Sequence, residues 1–409
     1  MKAAEVERIA EEAPISKVVA VILRHAVDGN ASDVHIEPGK EKVRVRFRLD
    51  GILHASLFLP LRISAAVIAR IKILSVLKID ETRIPQDGRC SIKVGEKDVD
   101  FRISTFPTTL GEKVVIRILD SSKRKVDFAS LGIIGRNLRV MEKALKKTYG
   151  MILATGPTGT GKTTTLYSVL GVLNREEVNV MTLEDPVEYF VEGVNQSQIK
   201  PEIDYTFATG LRHMVRQDPD IIMVGEIRDE ETASLAIHAT LTGHVVLSTL
   251  HTSNAIGVIP RLVDMGVQVF LLPPTLSVAT AQRLVRKLCP HCKKKIKAPK
   301  EVEKVILKEL EDFPLEAKKS IKSTSNFYIF QPVGCKRCDQ TGYSGRIGIF
   351  EILEMTDELA KIILNNTPEL AIKAEARRQG MTTMKQDGII KMLDGVTSFE
   401  EILRVAQEK

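Results

Sequence analysis

The chain has no tryptophan, and aromatic residues make up only 5% of its 409 residues. Proteins that track single-stranded nucleic acid stack bases on aromatic side chains, so little here serves as such a platform and no nucleic-acid partner is expected. No apolar run reaches the roughly 20 residues of a membrane-spanning helix, and Met1 opens no secretory signal pattern. The expected location is therefore the cytosol. Cysteines number only five. Four of them fall in two C-x-x-C pairs, which suits metal binding in a reducing compartment better than disulfides. Cys90 is left over and reads as a small residue in or beside a strand. The sequence has no internal repeat and no low-complexity tract. Its formal charge of +7 is modest for the length and permits contact with nucleic acid or anionic lipid without demanding either.

What is present is a folded chain of two or three domains, with 44% hydrophobic and 27% charged residues. Its most specific stretch is Gly156-Pro157-Thr158-Gly159-Thr160-Gly161-Lys162-Thr163, which matches the P-loop pattern G-x-x-x-x-G-K-[ST] without a gap. The apolar run Met151–Thr155 before it reads as a buried strand. From Thr164 onward apolar residues recur at helical spacing. Glycines let backbone N–H groups curl around phosphate oxygens, and the helix N-terminus adds a positive dipole end. Lys162 is expected to reach the β/γ-phosphates and Thr163 to hold Mg²⁺. Gly156 to Thr164 are the candidate nucleotide-binding residues, and a nucleoside triphosphate is the expected ligand.

Residues 1–13 are polar and helix-prone. Helices are expected over Ile15–Ala26, stopped by Asp28-Gly29-Asn30, and over Ser64–Val76. Val43–Leu49 alternates strictly and reads as a strand with one buried face. Arg44, Arg46 and Arg48 share its other face, either solvated or meeting a subunit or an acidic ligand. Asp50-Gly51 turns the chain. Further strands are expected at Ser91–Val94, Asp98–Ser104 and Lys113–Leu119, completing a mixed α/β domain. Residues 121–125 are polar and basic and read as a linker. Beyond it Asn179–Leu183, Ile221–Val224 and His244–Leu250 are apolar strands alternating with helices, the mark of a parallel sheet. Such sheets gather ligand-binding residues at the carboxyl ends of their strands. The P-loop, Glu184 and Glu226 all stand at such ends. Residues 299–325 are a charged, helix-like insert, and the tail from Glu354 to Lys409 is helical by pattern.

Glu226 closes the strand Ile221–Val224 and is expected to coordinate Mg²⁺, directly or through water. Hydrolysis also needs a group that orients or deprotonates water. Glu184 is the candidate, with Glu188 as fallback, and the sequence leaves the roles of Glu184 and Glu226 interchangeable. Arginines neutralise charge developing on the γ-phosphate. Arg212 and Arg216 lie four apart on one helix face, and Arg102 and Arg117 lie on strands of the first domain. His244 and His251 flank an apolar strand and are candidate γ-phosphate sensors. Cys289, Cys292, Cys335 and Cys338 suit tetrahedral Zn²⁺, and four thiolates leave no open position, so the site is structural. His291 is a possible substitute ligand.

Together these residues resemble the secretion ATPases of type II secretion and type IV pilus assembly. Ala31-Ser32-Asp33-Val34-His35-Ile36-Glu37-Pro38 is similar to that family's second N-terminal domain. Thr182–Glu188 resembles its Asp box, Gly225–Asp229 its atypical Walker B element and Leu241–His251 its His box. Ser344–Glu351 resembles the segment after its metal loop. The resemblance covers nearly the whole chain. It implies a PAS-like mixed α/β first domain (1–120), a linker (121–132) and a RecA-like core with a parallel-rich sheet (133–287). A tetracysteine zinc-binding subdomain (288–345) and a helical C-terminal subdomain (346–409) follow. It further implies a homohexameric ring whose ATP hydrolysis works on an inner-membrane platform protein during pilin or pseudopilin assembly. Arginines matching Arg102, Arg117, Arg212 and Arg216 approach the phosphates in the family, and glutamates matching Glu184 and Glu226 carry hydrolysis and Mg²⁺. Retraction ATPases resemble the chain but lack the four-cysteine insert, so the insert favours assembly. Full-length assembly ATPases usually carry one more N-terminal domain, and this chain begins at what resembles the second.

Overall fold

The alternation from Val43 to Leu49 is one strand of a six-stranded sheet in a computed structural model, which describes residues 14–49, 51–95, 97–119, 127–321, 327–365 and 369–406. The chain divides into two units, Met1–Arg124 and Lys125–Lys409, and each is described by itself. The expectations for residues 1–13, for Asp50 and for the linker residues 121–125 lie outside the described residues.

In the first unit β1 (Asp33–Pro38), β2 (Lys42–Leu49), β3 (Ile52–Pro60), β4 (Gln86–Val94), β5 (Lys97–Thr108) and β6 (Gly111–Leu119) lie in the order β3-β2-β1-β6-β5-β4. All neighbours are antiparallel. Helices Ile15–Asp28 and Ser64–Leu74 bury Val18, Ile22 and Ile71 in one core with Val34, Val45, Phe101 and Ile116 of the sheet. Cys90 packs half-buried against this core, as a small strand residue should. Successive strand residues face opposite ways, so the charged residues gather on the face away from these helices. There Arg46 and Lys113 hold Glu37 at 2.7 and 3.1 Å, and Arg44 reaches the same carboxylate at 3.1 Å. Arg117 and Arg48 hold Asp33 at 3.0 and 3.4 Å. The arginines of β2 are thus paired within their own sheet. Below the sheet, Lys72 is buried and donates to Glu112 and to the Glu81 carbonyl, both at 2.8 Å.

The second unit holds a seven-stranded sheet in the order β15-β12-β7-β11-β10-β8-β9. Its strands are β7 (Gly150–Thr155), β8 (Val180–Glu184), β9 (Val194–Gln198), β10 (Ile221–Val224), β11 (Val245–Leu250), β12 (Leu276–Leu288) and β15 (Tyr343–Glu354). The six strands from β12 to β9 run parallel, and β15 is antiparallel to β12. Both faces are covered. Met151 and Leu153 enter one core with helices Phe207–Met214 and Glu230–Leu241. Ile152 and Ala154 enter the other with helices Gly135–Leu145 and Lys162–Leu173. Strands buried on both sides read as continuous apolar runs, which is why these stood out in the sequence.

The stretch just past residue 345, expected to open a helical subdomain, is instead β15. Ile347, Ile349, Phe350, Ile352 and Leu353 are buried, and residues 346–354 belong to the central sheet. Helices begin only at Asp357. Between β12 and β15, β13 (Lys294–Lys297) and β14 (Tyr328–Gln331) form a small antiparallel sheet. Helix Lys300–Glu311 packs through Ile306 with Ile389 and Ile402 of the C-terminal helices.

Candidate functional site

The P-loop follows β7 directly, and Gly161 caps the N-terminus of helix Lys162–Leu173 with φ +89°, a left-handed value that glycine adopts without penalty. Gly156 and Thr160 are buried, whereas Pro157, Thr158, Gly159 and Thr164 are exposed. Thr163 is half-buried on the first turn of that helix. Lys162 folds back onto the loop, and its Nζ donates to the carbonyls of Gly156 and Pro157 at 2.7 and 3.1 Å. Burial lowers the pKa of the Lys162 ammonium, Glu226 opposes that, and Arg283 adds to it. These three charges therefore share one neighbourhood.

The ends of β7, β10 and β11 are tied together by hydroxyls. Thr155 Oγ1 accepts from Thr252 N at 2.7 Å, joining the exits of β7 and β11. Thr249 Oγ1 donates to Gly225 O at 2.8 Å, and Ser248 Oγ donates to Val224 O at 2.7 Å, joining β11 to β10. This places His251 Nε2 3.0 Å from Glu226 Oε2. Arg228 forms an ion pair with the other oxygen of Glu226. Burial acts to raise the Glu226 pKa, but hydrogen bonds from Arg228 and His251 outweigh it and hold the carboxyl below its ordinary value. Arg228 lies inside the Gly225–Asp229 element and is not among the residues expected to act. Its signal was position, two residues past Glu226 in the same turn.

Glu184 ends β8, as expected, but it points into the protein. It is 2% exposed. Tyr167 OH donates to one oxygen at 2.5 Å, and Thr182 Oγ1 and Gln196 Nε2 donate to the other at 2.6 and 3.2 Å. Burial raises its pKa despite these donors. Gln196 also donates to Tyr189 O at 3.1 Å and accepts from Val191 N at 2.7 Å, so the same network fixes the segment after Glu188. Glu188 itself is only half-buried.

Other expected residues lie elsewhere. His244 precedes β11 at its amino end, where its Nδ1 sits 2.7 Å from Ala239 O and 3.1 Å from Thr242 Oγ1. In a parallel sheet that end is opposite the P-loop, so His244 closes a turn and does not join the site. Arg212 is exposed and pairs with Glu231 of helix Glu230–Leu241, and Arg216 is exposed beyond the helix end. Arg102 and Arg117 stand directly opposite each other on β5 and β6 of the first unit.

The sulfurs of Cys289, Cys292, Cys335 and Cys338 all lie within 4.8 Å of one another. Cys289–Cys335 are 4.0 Å apart, and Cys292–Cys338 and Cys335–Cys338 are 3.7 Å apart. A tetrahedral metal with sulfur bonds of about 2.3 Å requires sulfurs about 3.8 Å apart, so the set fits one ion. Disulfide pairing is set aside, since all four are free thiols. Backbone N–H groups of Cys335 and Gly342 donate to Cys338 Sγ at 3.2 Å each, which favours a thiolate. His291 lies 3.0 Å from Arg337 and outside the sulfur cluster.

Residues 8–404 match the protein family described as Type II/IV secretion system protein. The type IV pilus assembly ATPase PilB of Myxococcus xanthus is 44% identical over 400 residues, 98% of this chain and 69% of that protein. The type II secretion system protein E of Pseudomonas aeruginosa is 44% identical over 399 residues, 98% of this chain and 77% of that one. The solved structure of the Legionella pneumophila ATPase DotB aligns with a TM-score of 0.66 at 21% identity, covering 93% of each chain. That of the pilus retraction motor PilT aligns with a TM-score of 0.63 at 24% identity, covering 94% of this chain and 96% of that one. These two likenesses concern the fold. Among the described residues no helix is long and apolar enough to cross a membrane.

Proposed function

The chain belongs to the type II/IV secretion system protein family and is an ATP hydrolase, and we propose that it couples hydrolysis to the assembly of pilin or pseudopilin filaments. The convergence of Lys162, Glu226 and His251 at the carboxyl ends of β7, β10 and β11 supports the hydrolysis, and the 44%-identical pilus-assembly and secretion relatives support the coupling. Lys162 leaves the Gly156 carbonyl for the phosphates when ATP binds. Thr163 and Glu226 would hold Mg²⁺, which would supply charge neutralisation on the phosphate oxygens. Arg228 and His251 keep Glu226 ionised for that role. Glu188 orients the attacking water, because Glu184 is sealed from solvent and its oxygens are taken. Glu184 then acts by holding the segment that carries Glu188. Arg102, Arg117, Arg212 and Arg216 complete the neutralisation of the γ-phosphate in a homohexameric ring, and the four cysteines hold one structural Zn²⁺.

The partner on this reading is an inner-membrane platform protein, with the ring peripheral at an anionic membrane surface. Both 44%-identical relatives serve machines of this kind by name, one a pilus and one a secretion system. The test is Mg²⁺-dependent ATP turnover, expected to rise steeply with protein concentration and further with the cytoplasmic domain of a cognate platform protein. Turnover driven instead by DNA, with salt-sensitive DNA binding, would replace this reading with a nucleic-acid motor. Metal analysis is expected to give one zinc per chain. A folded, metal-free protein would remove the zinc assignment.

A further inference from the structure

Strand β12 runs beside β7, with Ala281 opposite Thr155, the residue before the P-loop. The next two residues of β12 therefore lie alongside the loop, and the pleat turns their side chains opposite ways. Gln282 is 1% exposed. Its amide donates to the Thr160 carbonyl at 2.8 Å, and its oxygen accepts from Thr165 Oγ1 at 2.8 Å. Both ends of the amide are thus engaged, which sets its orientation. Arg283 is 8% exposed, and its guanidinium donates to Gln282 O at 3.1 Å and Ser253 O at 3.4 Å. A Cβ on Gly156 would stand 2.8 Å from Gln282 O and 3.1 Å from that guanidinium. The first P-loop glycine therefore lets the loop lie flush against these two residues.

We propose that Gln282 is a positioning residue of the phosphate site, with Arg283 bracing the same loop from the other side; this rests on ATP being hydrolysed at the P-loop. In a trans peptide the C=O and N–H point in opposite directions. Holding the Thr160 carbonyl toward β12 turns the Gly161 N–H away from it, into the hollow of the loop where phosphate oxygens are received. Gly161 has no Cβ to resist a flip of that peptide, so the orientation depends on an outside acceptor or donor. Gln282 is that donor. Arg283 links the Gln282 carbonyl, against which Gly156 lies, to the Ser253 carbonyl two residues past His251, and so ties β12 beside the loop to the exit of β11.

The experiment uses the full chain with MgATP. Gln282→Glu keeps the size and removes the donor to Thr160, and Gln282→Met removes both polar ends. In each, KM for MgATP is expected to rise about tenfold, the scale of one buried hydrogen bond. The Kd of a fluorescent ADP analogue should rise in parallel, while kcat at saturation stays within about threefold. Thr165→Val, which frees the other end of the amide and leaves Gln282 in place, is expected to raise KM by a smaller factor and serves if either variant fails to fold. Unchanged KM and Kd overturn the proposal. So does a loss confined to kcat and proportional to a smaller folded fraction, which is what a purely structural residue would produce. Absence of MgATP turnover in the unaltered chain would overturn the hydrolase assignment itself, and the proposal with it.

Discussion

The two sheets place their polar groups in opposite ways. Among the described residues of the first unit, helices pack on one face of the antiparallel sheet, and the charges of the other face lie across strands by register. Arg48, Asp33, Arg117 and Arg102 stand in one line over β2, β1, β6 and β5 because each is the cross-strand partner of the next. The second unit buries both faces of a mostly parallel sheet, so polar chemistry is confined to strand ends. Glu226 and His251 meet there although 25 residues separate them. A face spreads charge over several carriers that share their partners, as Arg44, Arg46 and Lys113 share Glu37. A strand end concentrates it on a few residues that cannot substitute for one another.

The sharpest way to break this comparison is at the strand end. Glu226→Gln is expected to lower turnover by about 100-fold or more while ATP still binds, since it removes the carboxylate charge that would hold Mg²⁺ at the phosphates. Steady-state hydrolysis and nucleotide binding measure the two separately, and normal turnover would end the role given to Glu226. On the open face the expected losses are smaller and unequal. Arg102→Ala and Arg117→Ala should each cost about 10- to 100-fold in kcat. Arg44→Ala, which only shares Glu37 with Arg46 and Lys113, should stay within about twofold. If Arg44→Ala is as damaging as the other two, the face acts as a block and the distinction fails.

Below the face, Lys72→Met leaves Glu112 buried without its cation. It should destabilise the protein by about 3 kcal/mol, the usual scale for breaking a buried pair from one side. Chemical denaturation followed in the first unit reads this, and a change under about 1 kcal/mol would mean the pair is wetter than it looks.

The smallest expected effect concerns Glu184. Its folded pKa is raised above the ordinary 4.5, so between those values the folded state keeps a proton that the unfolded state has lost. Stability from this group is therefore full below about pH 4.5 and falls as pH rises through the folded value. Glu184→Gln cannot titrate. Unfolding free energies of the two proteins, compared at pH 5 and pH 8, should show the unaltered chain losing ground at the higher pH. A difference independent of pH would place Glu184 in contact with water after all.

The P-loop, the strands around it and the cysteine pairs were legible because each depends on local spacing. A glycine pattern between strand and helix, or two thiols three apart, carries its geometry within a few residues. The end of β8 was legible too, but not the direction of Glu184. That is set by Tyr167 from a helix and Gln196 from the neighbouring strand, both remote in sequence. His244 was separable from His251 by strand direction alone, since only the carboxyl end of a parallel strand faces the P-loop. β15 was lost among helices because a short apolar run buried on both sides has no period of its own. Gln282 lies 122 residues from Thr160, and no local pattern marks it.

The buried Lys72 has one more consequence. Glu112, its partner, opens β6 opposite Pro107 of β5, at the turn of the hairpin that carries Arg102 and Arg117. Fastening a hairpin at its tip to a helix beneath removes the loosest motion such a ribbon has. The backbone positions of Arg102 and Arg117 are thus held in one register, opposite each other on the fastened strands. A change that shifts this strand pair therefore moves both arginines together.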